Sequence, residues 1–222
     1  MRLSIIIPTL DEEVVIGRTL ETALAQPGVH EIIVVDGGSS DRTTEIVSRF
    51  GVVRLLRSPA GRAQQMNAGA RAATGDVLLF LHADTELPPD AAPLVESALQ
   101  QPDVVAGSFY LAFDRRSPML AAYSWFSRLN LPLFTYGDQA LFFRAAAFKA
   151  IVGFAAQPLL EDFEIQRRIR RVGRFRKLGA PVRTSARRFE AAGVIRQQLV
   201  NIALVCAYVA GASPVWLKRF YR

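Results

Sequence analysis

The chain has 222 residues, of which 50% are hydrophobic, 21% charged and 9% aromatic. This suffices for one sizeable domain with a small appendage and excludes wholesale disorder. A single cysteine, Cys206, excludes an intramolecular disulfide framework and a cysteine-based zinc site, and is compatible with a reducing cytoplasm.

The net charge of +7 hides a split: residues 1–100 carry 8 basic and 13 acidic side chains, a net of −5, and residues 101–222 carry 19 and 7, a net of +12. Only Lys149, Lys177 and Lys218 are lysine. Arginine forks suit phosphate, so the split points to a phosphorylated ligand, an anionic membrane surface or a nucleic acid. Nucleic acid is disfavoured, because no aromatic–basic interleaving or known binding motif occurs.

In chain order, Leu3–Ile7 reads as a buried strand stopped by Pro8, and Glu13–Ala25 as a helix closed by Pro27-Gly28. Glu31–Asp36 is a second strand, Asp41 can cap a helix running to Phe50, and Val52–Leu56 is a third strand. Arg62–Ala73 is a helix and Val77–Leu81 a fourth strand. Continuous apolar strands alternating with helices predict a Rossmann-like, mostly parallel sheet with helices on both faces, ligands sitting beyond the carboxyl ends of the strands. The polar clusters fall at those ends: Pro8–Glu12, Asp36–Ser39 and His82–Thr85.

Further on, Ala91–Leu99 reads as a helix, Val104–Phe113 as a strand, Pro118–Leu129 as an aromatic helix and Ala140–Phe143 as a strand. Glu161–Val172 is a basic helix, followed by short strands Phe175–Leu178 and Val182–Ser185, then helix Val194–Ala212 and a short helix restarted by Ser213-Pro214. Met1–Ile7 is too short for a signal peptide, and the clean apolar run Ile202–Ala212 is short for a membrane span. The Val194–Ala212 helix, with Ile195, Leu199, Ile202, Cys206 and Val209 on one face, wants burial in protein, a second copy of the chain or lipid, and Cys206 reads as a packing residue. Met119–Phe134 reads as core, or as an acceptor channel or membrane contact.

No phosphate-binding loop of the G-x-x-x-x-G-K-[ST] or G-x-G-x-x-G type occurs. Asp36 can instead hydrogen-bond a ribose hydroxyl or base N–H, and Asp41 reads as a helix cap. In extended geometry His82 and Asp84 would share a face, and Asp84 offers one hard oxygen to Mg²⁺ or Mn²⁺, with a diphosphate completing the shell. Glu161-Asp162 at a helix start could simply satisfy free N–H groups. The arginines Arg167, Arg168, Arg170, Arg171, Arg174 and Arg176, with Lys177, form a solvated face or a phosphate-facing patch that Arg187 and Arg188 extend.

Six ordered stretches, SIIIPTLDEE (4–13), VVDGGSSDRT (34–43), GRAQQMNAGA (61–70), FLHADTELPPD (80–90), GDQALFFR (137–144) and LEDFEIQRRIRR (160–171), resemble the family-2 glycosyltransferases of the GT-A fold. The stretch from Ser185 to Pro214 is similar to a small bacterial subgroup called selenodomain-associated transferase 2. The resemblance implies an α/β GT-A domain over residues 1–188, with a donor half 1–90 and an acceptor half 91–188, and a C-terminal helical appendage 189–222. It implies a UDP- or GDP-sugar donor, Mn²⁺ or Mg²⁺, and inversion at the anomeric carbon.

Matched residue by residue, Pro8, Thr9, Asp11, Glu12, Asp36, Gly61, Arg62, Asn67, His82, Ala83 and Asp84 fall on the donor side, with Asp84 as metal ligand. Asp162 falls on the general base, with Glu161, Asp138 and Gln139 on the acceptor side. Two positions depart from the pattern: Gly37 stands where the family has a second aspartate, and His82 where it has the first aspartate of D-x-D. A hydroxyl acceptor, a lipid-linked acceptor and a non-catalytic nucleotide-sugar or membrane-surface module remain open, as does nucleotidyl transfer on the same fold. The expected location is the cytoplasm, or the cytoplasmic face of the inner membrane.

Overall fold

The computed structural model describes residues 1–115, 117–186 and 194–220. Eight strands form one sheet: β1 (Leu3–Thr9), β2 (Val29–Asp36), β3 (Arg54–Arg57), β4 (Val77–Phe80), β5 (Thr85–Glu86), β6 (Val104–Phe113), β7 (Leu141–Arg144) and β8 (Arg174–Thr184). Their spatial order is β3-β2-β1-β4-β7-β6-β8-β5. The first four are mutually parallel. β7 runs antiparallel to β4 and β6, and β8 lies parallel to β6. The Rossmann-like half therefore appears as the apolar runs predicted, with boundaries shifted by one or two residues.

Alternation along the strands assigns two cores. Leu3, Ile5 and Ile7 of β1 face one side, with Ile16 and Leu20 of α1 (Ile16–Leu24), Val47 of α2 (Thr43–Ser48) and Val95 of α4 (Ala91–Leu99). Ile6 faces the other, with Met66 of α3 (Arg62–Ala72), Phe148 of α6 (Ala145–Ala150), and Ile165 and Ile169 of α7 (Glu161–Ile169). The period of two along a strand thus covers both faces with helices. α3 lies so close to the sheet that a Cβ on Gly69 would run into Ile6 and Val35.

Four expectations change. The short strands predicted on either side of Gly179 are one strand, β8; Pro181, which lacks an N–H, is tolerated where the β6–β8 register shifts between Ser108 and Tyr110. Helix α2 starts at Thr43 behind Arg42, although Asp41 still accepts the Thr43 N–H at 2.9 Å. The two-residue strand β5 and the helix α6 were not anticipated. Helix α8 (Val194–Val209) buries Leu204 and Val205, while Ile202 and Val209 are exposed, and Cys206 is exposed rather than a packing residue within this copy.

The aromatic segment divides as well. In α5 (Pro118–Phe126) Leu120 and Tyr123 are buried, while Trp125 and Phe126 are exposed. A short helix α9 (Pro214–Leu217) follows α8. Among the described residues, no helix is long and apolar enough to cross a membrane.

Candidate active site

The carboxyl ends of β1, β2 and β4 carry the loops that sequence reasoning singled out. The first two are laced together. Asp11, in the left-handed region at φ 54°, accepts the Ser40 N–H at 2.8 Å, and its own N–H donates to Ser39 Oγ at 3.0 Å. The Glu12 N–H donates to Thr43 Oγ1 at 2.8 Å, and the Glu13 N–H to Asp41 Oδ2 at 3.0 Å. Asp36 is 2% exposed and accepts the Gly38 and Ser39 N–H groups and the Ser39 hydroxyl. Asp36 therefore organises its own loop. Thr9 is buried beside it and Pro8 half-buried.

Gly37 has a local cause. Its Cβ would lie 3.1 Å from the Gln65 amide, whose Nε2 donates to Thr9 O at 2.7 Å and Val35 O at 2.8 Å. Gln65 of α3, which sequence reasoning did not single out, thus ties the β1 and β2 ends together and leaves little room for a larger residue at 37. Gly61 precedes α3 at φ 141°, a conformation that favours glycine. Asn67 is engaged elsewhere: its amide exchanges two hydrogen bonds with the Phe154 backbone, at 2.8 and 3.0 Å.

After β4 the chain turns at once. The Thr85 N–H donates to His82 O at 3.1 Å, so residues 82–85 form a turn and the shared face predicted for His82 and Asp84 does not arise. Ala83 is buried in the core, and its carbonyl accepts the Thr19 hydroxyl at 2.6 Å. His82 Nε2 points instead towards Gly137, 2.8 Å from the position a Cβ there would take.

Asp84 is half-buried and anchored through its carbonyl, which accepts the Ser185 N–H at 3.2 Å. Among the described residues, no three metal-binding side chains gather into a closed cage. A single hard carboxylate does fit Mg²⁺ or Mn²⁺, which take one or two protein oxygens and complete their shell with phosphates and water.

The strongest electrostatic feature lies at the start of α7. Asp162 is 7% exposed; its Oδ2 accepts the Gly137 N–H at 2.9 Å and lies 3.7 Å from Arg62 Nη1. Its Oδ1 is buried without a hydrogen-bond partner among the described residues. Burial raises this carboxyl to about 7; the charges of Glu161 and Asp138 add to the rise, and Arg62 and the Gly137 N–H oppose it. Glu161, 6% exposed, accepts from Arg62 Nη1 at 3.3 Å. Arg62 therefore joins the start of α3 to the start of α7, bringing residues a hundred apart into one cluster with Gly137 and His82.

A second group was missed. Lys177 of β8 reads in sequence as part of a solvated or phosphate-facing basic stretch, yet its Nζ donates to Ser108 Oγ at 2.8 Å, Thr135 Oγ1 at 3.0 Å and Gln139 Oε1. Burial pushes it down to about 7, opposed by Asp138. Gln139, predicted on the acceptor side, is fully buried and spends its Nε2 on Phe134 O at 2.8 Å, so it shapes the loop that presents Gly137 and Asp138.

Several of the other basic residues are likewise engaged. Arg168 pairs with Glu164 at 2.6 Å, Arg170 covers the Phe175 ring at 4.5 Å, and Arg174 pairs with Asp103 at 2.9 Å. Arg187 and Arg188 lie outside the described residues. The left-handed residues Asp11, Ala140 and Leu160 all border these loops, where backbone strain tends to gather in functional sites.

The family model described as Glycosyl transferase family 2 matches residues 4–154, more than half of the chain. An undecaprenyl-phosphate 4-deoxy-4-formamido-L-arabinose transferase of Pectobacterium carotovorum subsp. carotovorum is 39% identical over 114 residues, 46% of this chain and 35% of that protein. An uncharacterised glycosyltransferase of Nostoc sp. is 29% identical over 118 residues, 50% of this chain and 37% of that one. The matched segments thus span about a third of the length of these relatives.

Among solved structures, a mannosyltransferase from Pyrobaculum calidifontis in complex with GDP-Man and Mn²⁺ superposes with a TM-score of 0.69 at 23% identity, covering 96% of this chain and 66% of that one. S. aureus TarS 1-349 in complex with UDP-GlcNAc gives 0.66 at 19%, covering 83% and 58%. The chain belongs to glycosyl transferase family 2 and has the GT-A fold.

Proposed function

We propose that the chain moves a sugar from a nucleoside-diphosphate sugar to an acceptor hydroxyl, with inversion at the anomeric carbon and Asp162 as general base. The observation that carries this reading is the Asp162 carboxyl: buried, raised to about 7, and holding one oxygen without a hydrogen-bond partner among the described residues. A base poised near the working pH is what proton abstraction from a hydroxyl requires. The acceptor O–H proton passes to Asp162 Oδ1 as the acceptor oxygen bonds to the anomeric carbon. The bond from that carbon to the diphosphate breaks, and the nucleoside diphosphate leaves with the electron pair.

In this reading the Pro8–Glu12 and Asp36–Ser39 loops hold the nucleoside, and Arg62 faces the diphosphate. Asp84 would hold Mn²⁺ or Mg²⁺ against it, which supplies charge neutralisation for the leaving group. Residues 1–90 then serve the donor, 91–188 the acceptor, and 189–222 are an appendage. UDP- and GDP-sugars are both candidates, since solved neighbours carry UDP-GlcNAc and GDP-Man.

The name of the Pectobacterium relative supports a second reading, in which a polyprenyl phosphate is the acceptor; in that reading the chain works at an anionic membrane surface on the cytoplasmic side. A phosphate oxygen is already ionised near neutral pH and needs no base. The test is donor turnover with Mn²⁺ against hydroxyl and polyprenyl-phosphate acceptors, in native chain and Asp162→Asn. Loss of turnover in the variant with a hydroxyl acceptor supports the base assignment; full turnover refutes it. Turnover confined to polyprenyl phosphate and insensitive to Asp162→Asn assigns the second reading.

A further inference from the structure

Both tryptophans of the chain are exposed, Trp125 at 57% and Trp216 at 49%. Phe126 and Leu131 beside the first, and Val215 and Phe220 beside the second, are exposed too. Trp125 packs edge-on against Phe126, with ring centroids 5.1 Å apart, and Trp216 lies 4.7 Å from Phe220. The two groups belong to neighbouring elements, since α5 packs against α8 and α8 against α9. Exposed aromatics on two elements that both pack against one helix are taken together as an apolar face, where single exposed hydrophobics would mean nothing.

In sequence, the two stretches that carry these aromatics are one-sided in charge, with Asp114, Asp138 and Glu190 lying just outside them. Residues 115–137 and 191–222 hold seven arginines and lysines and no aspartate or glutamate. Arg128, Lys218 and Arg219 are exposed within them. Tryptophan and phenylalanine flanked by cations, without acids, is the composition that settles at the headgroup level of an anionic bilayer.

The face is also joined to the catalytic cluster. Phe126 stacks on Phe134 at 5.5 Å, just before the loop that carries Gly137, and Tyr208 of α8 meets Phe163, the neighbour of Asp162, at 6.1 Å. We propose that this face docks on an anionic lipid surface in a monotopic manner, setting the acceptor side of the site against the headgroups. The inference deepens the membrane-side reading above and names the residues that would make contact.

Vesicle binding needs neither donor nor acceptor, so its outcome is separate from that of the transfer reaction. The experiment mixes the full chain with phosphatidylcholine vesicles, with and without phosphatidylglycerol, and follows co-sedimentation and tryptophan emission. Both emitters lie on the proposed face, so docking shifts the whole signal to the blue. Expected are co-sedimentation and a blue shift with the anionic vesicles alone, weakening as salt rises.

Two double variants test the residues, with unchanged melting temperatures as the check on folding. Trp125→Ser/Trp216→Ser, read by sedimentation, lowers partitioning by about tenfold or more. Lys218→Glu/Arg219→Glu does so by about tenfold at low salt. Absence of binding to anionic vesicles at low salt overturns the proposal, as does native binding in the tryptophan variant. A dimer seen by light scattering and lost in that same variant assigns the face to a second copy of the chain and also overturns it.

Discussion

Replacing Gly137 with alanine puts a methyl group into the space shared by Asp162 and His82. The added carbon would stand 2.7 Å from Asp162 Oδ2, 2.8 Å from Oδ1 and 2.8 Å from His82 Nε2. A comfortable carbon–oxygen contact is about 3.3 Å, so the carboxylate or the loop must give by roughly 0.5 Å. Gly137 does not occupy the left-handed region, so alanine suits its backbone and the strain falls on the side chains around it.

Proton abstraction by a positioned base contributes roughly 10²–10⁴-fold, and misplacement by about an ångström costs roughly 100-fold. We expect kcat to fall by about 100-fold, equivalent to roughly 3 kcal/mol of barrier, with donor affinity and melting temperature close to native. Steady-state kinetics with a thermal-shift measurement of donor binding reads this out. Gly51→Ala is the control, since a Cβ there meets nothing within 4 Å. Native kcat in a folded Gly137→Ala would refute the assignment of Asp162 as base.

Further outcomes follow from the same cluster. Turnover with a hydroxyl acceptor should rise with pH through about 7 as Asp162 deprotonates, and the residual turnover of Asp162→Asn should lose that step; a native profile in the variant sinks the reading. Stability carries the opposite sign. The folded carboxyl keeps its proton up to about 7, whereas the unfolded one loses it near its ordinary value. Between those pH values the folded state binds more protons, so Asp162 weakens the fold as pH rises. Asp162→Asn should therefore gain stability relative to the native chain from pH 5 to pH 8, checked by denaturant unfolding at both. Lys177→Met should cost about 1–3 kcal/mol, because Ser108, Thr135 and Gln139 lose a buried donor; an unchanged melting temperature would deny Lys177 that role. Asp84→Ala should abolish the dependence of turnover on Mn²⁺ or Mg²⁺, and titration with either ion tests it.

The first ninety residues were legible because each parallel strand is an apolar run ending in a polar cluster, and both signals are local. The Asp36 turn, the start of α3 and the acids opening α7 could be placed from the same kind of signal. Legibility failed where a residue's meaning depends on distant partners. Lys177 sits among arginines in sequence, and its acceptors come from positions 108, 135 and 139. Gln65 gains its role from two carbonyls on other strands, and β8 runs through Gly179 and Pro181 because its β6 neighbour shifts register to receive it. The turn at His82–Thr85 escaped because nothing in those four residues forbids continued extension, while the carbonyl-to-amide closure does.

The β4–β7 ladder has a mechanical consequence. It runs from Val77 paired with Arg144 to Phe80 paired with Leu141, and it fuses the strands of residues 1–90 to those that follow. β5, from the first stretch, even closes the far edge of the sheet against β8. Two lobes welded through a continuous hydrogen-bonded sheet have no hinge between them, since opening one would tear backbone bonds in the middle of the core. In the proposed reaction, substrate entry and product release therefore leave the sheet itself unmoved, and any rearrangement falls to the loops beyond the strand tips.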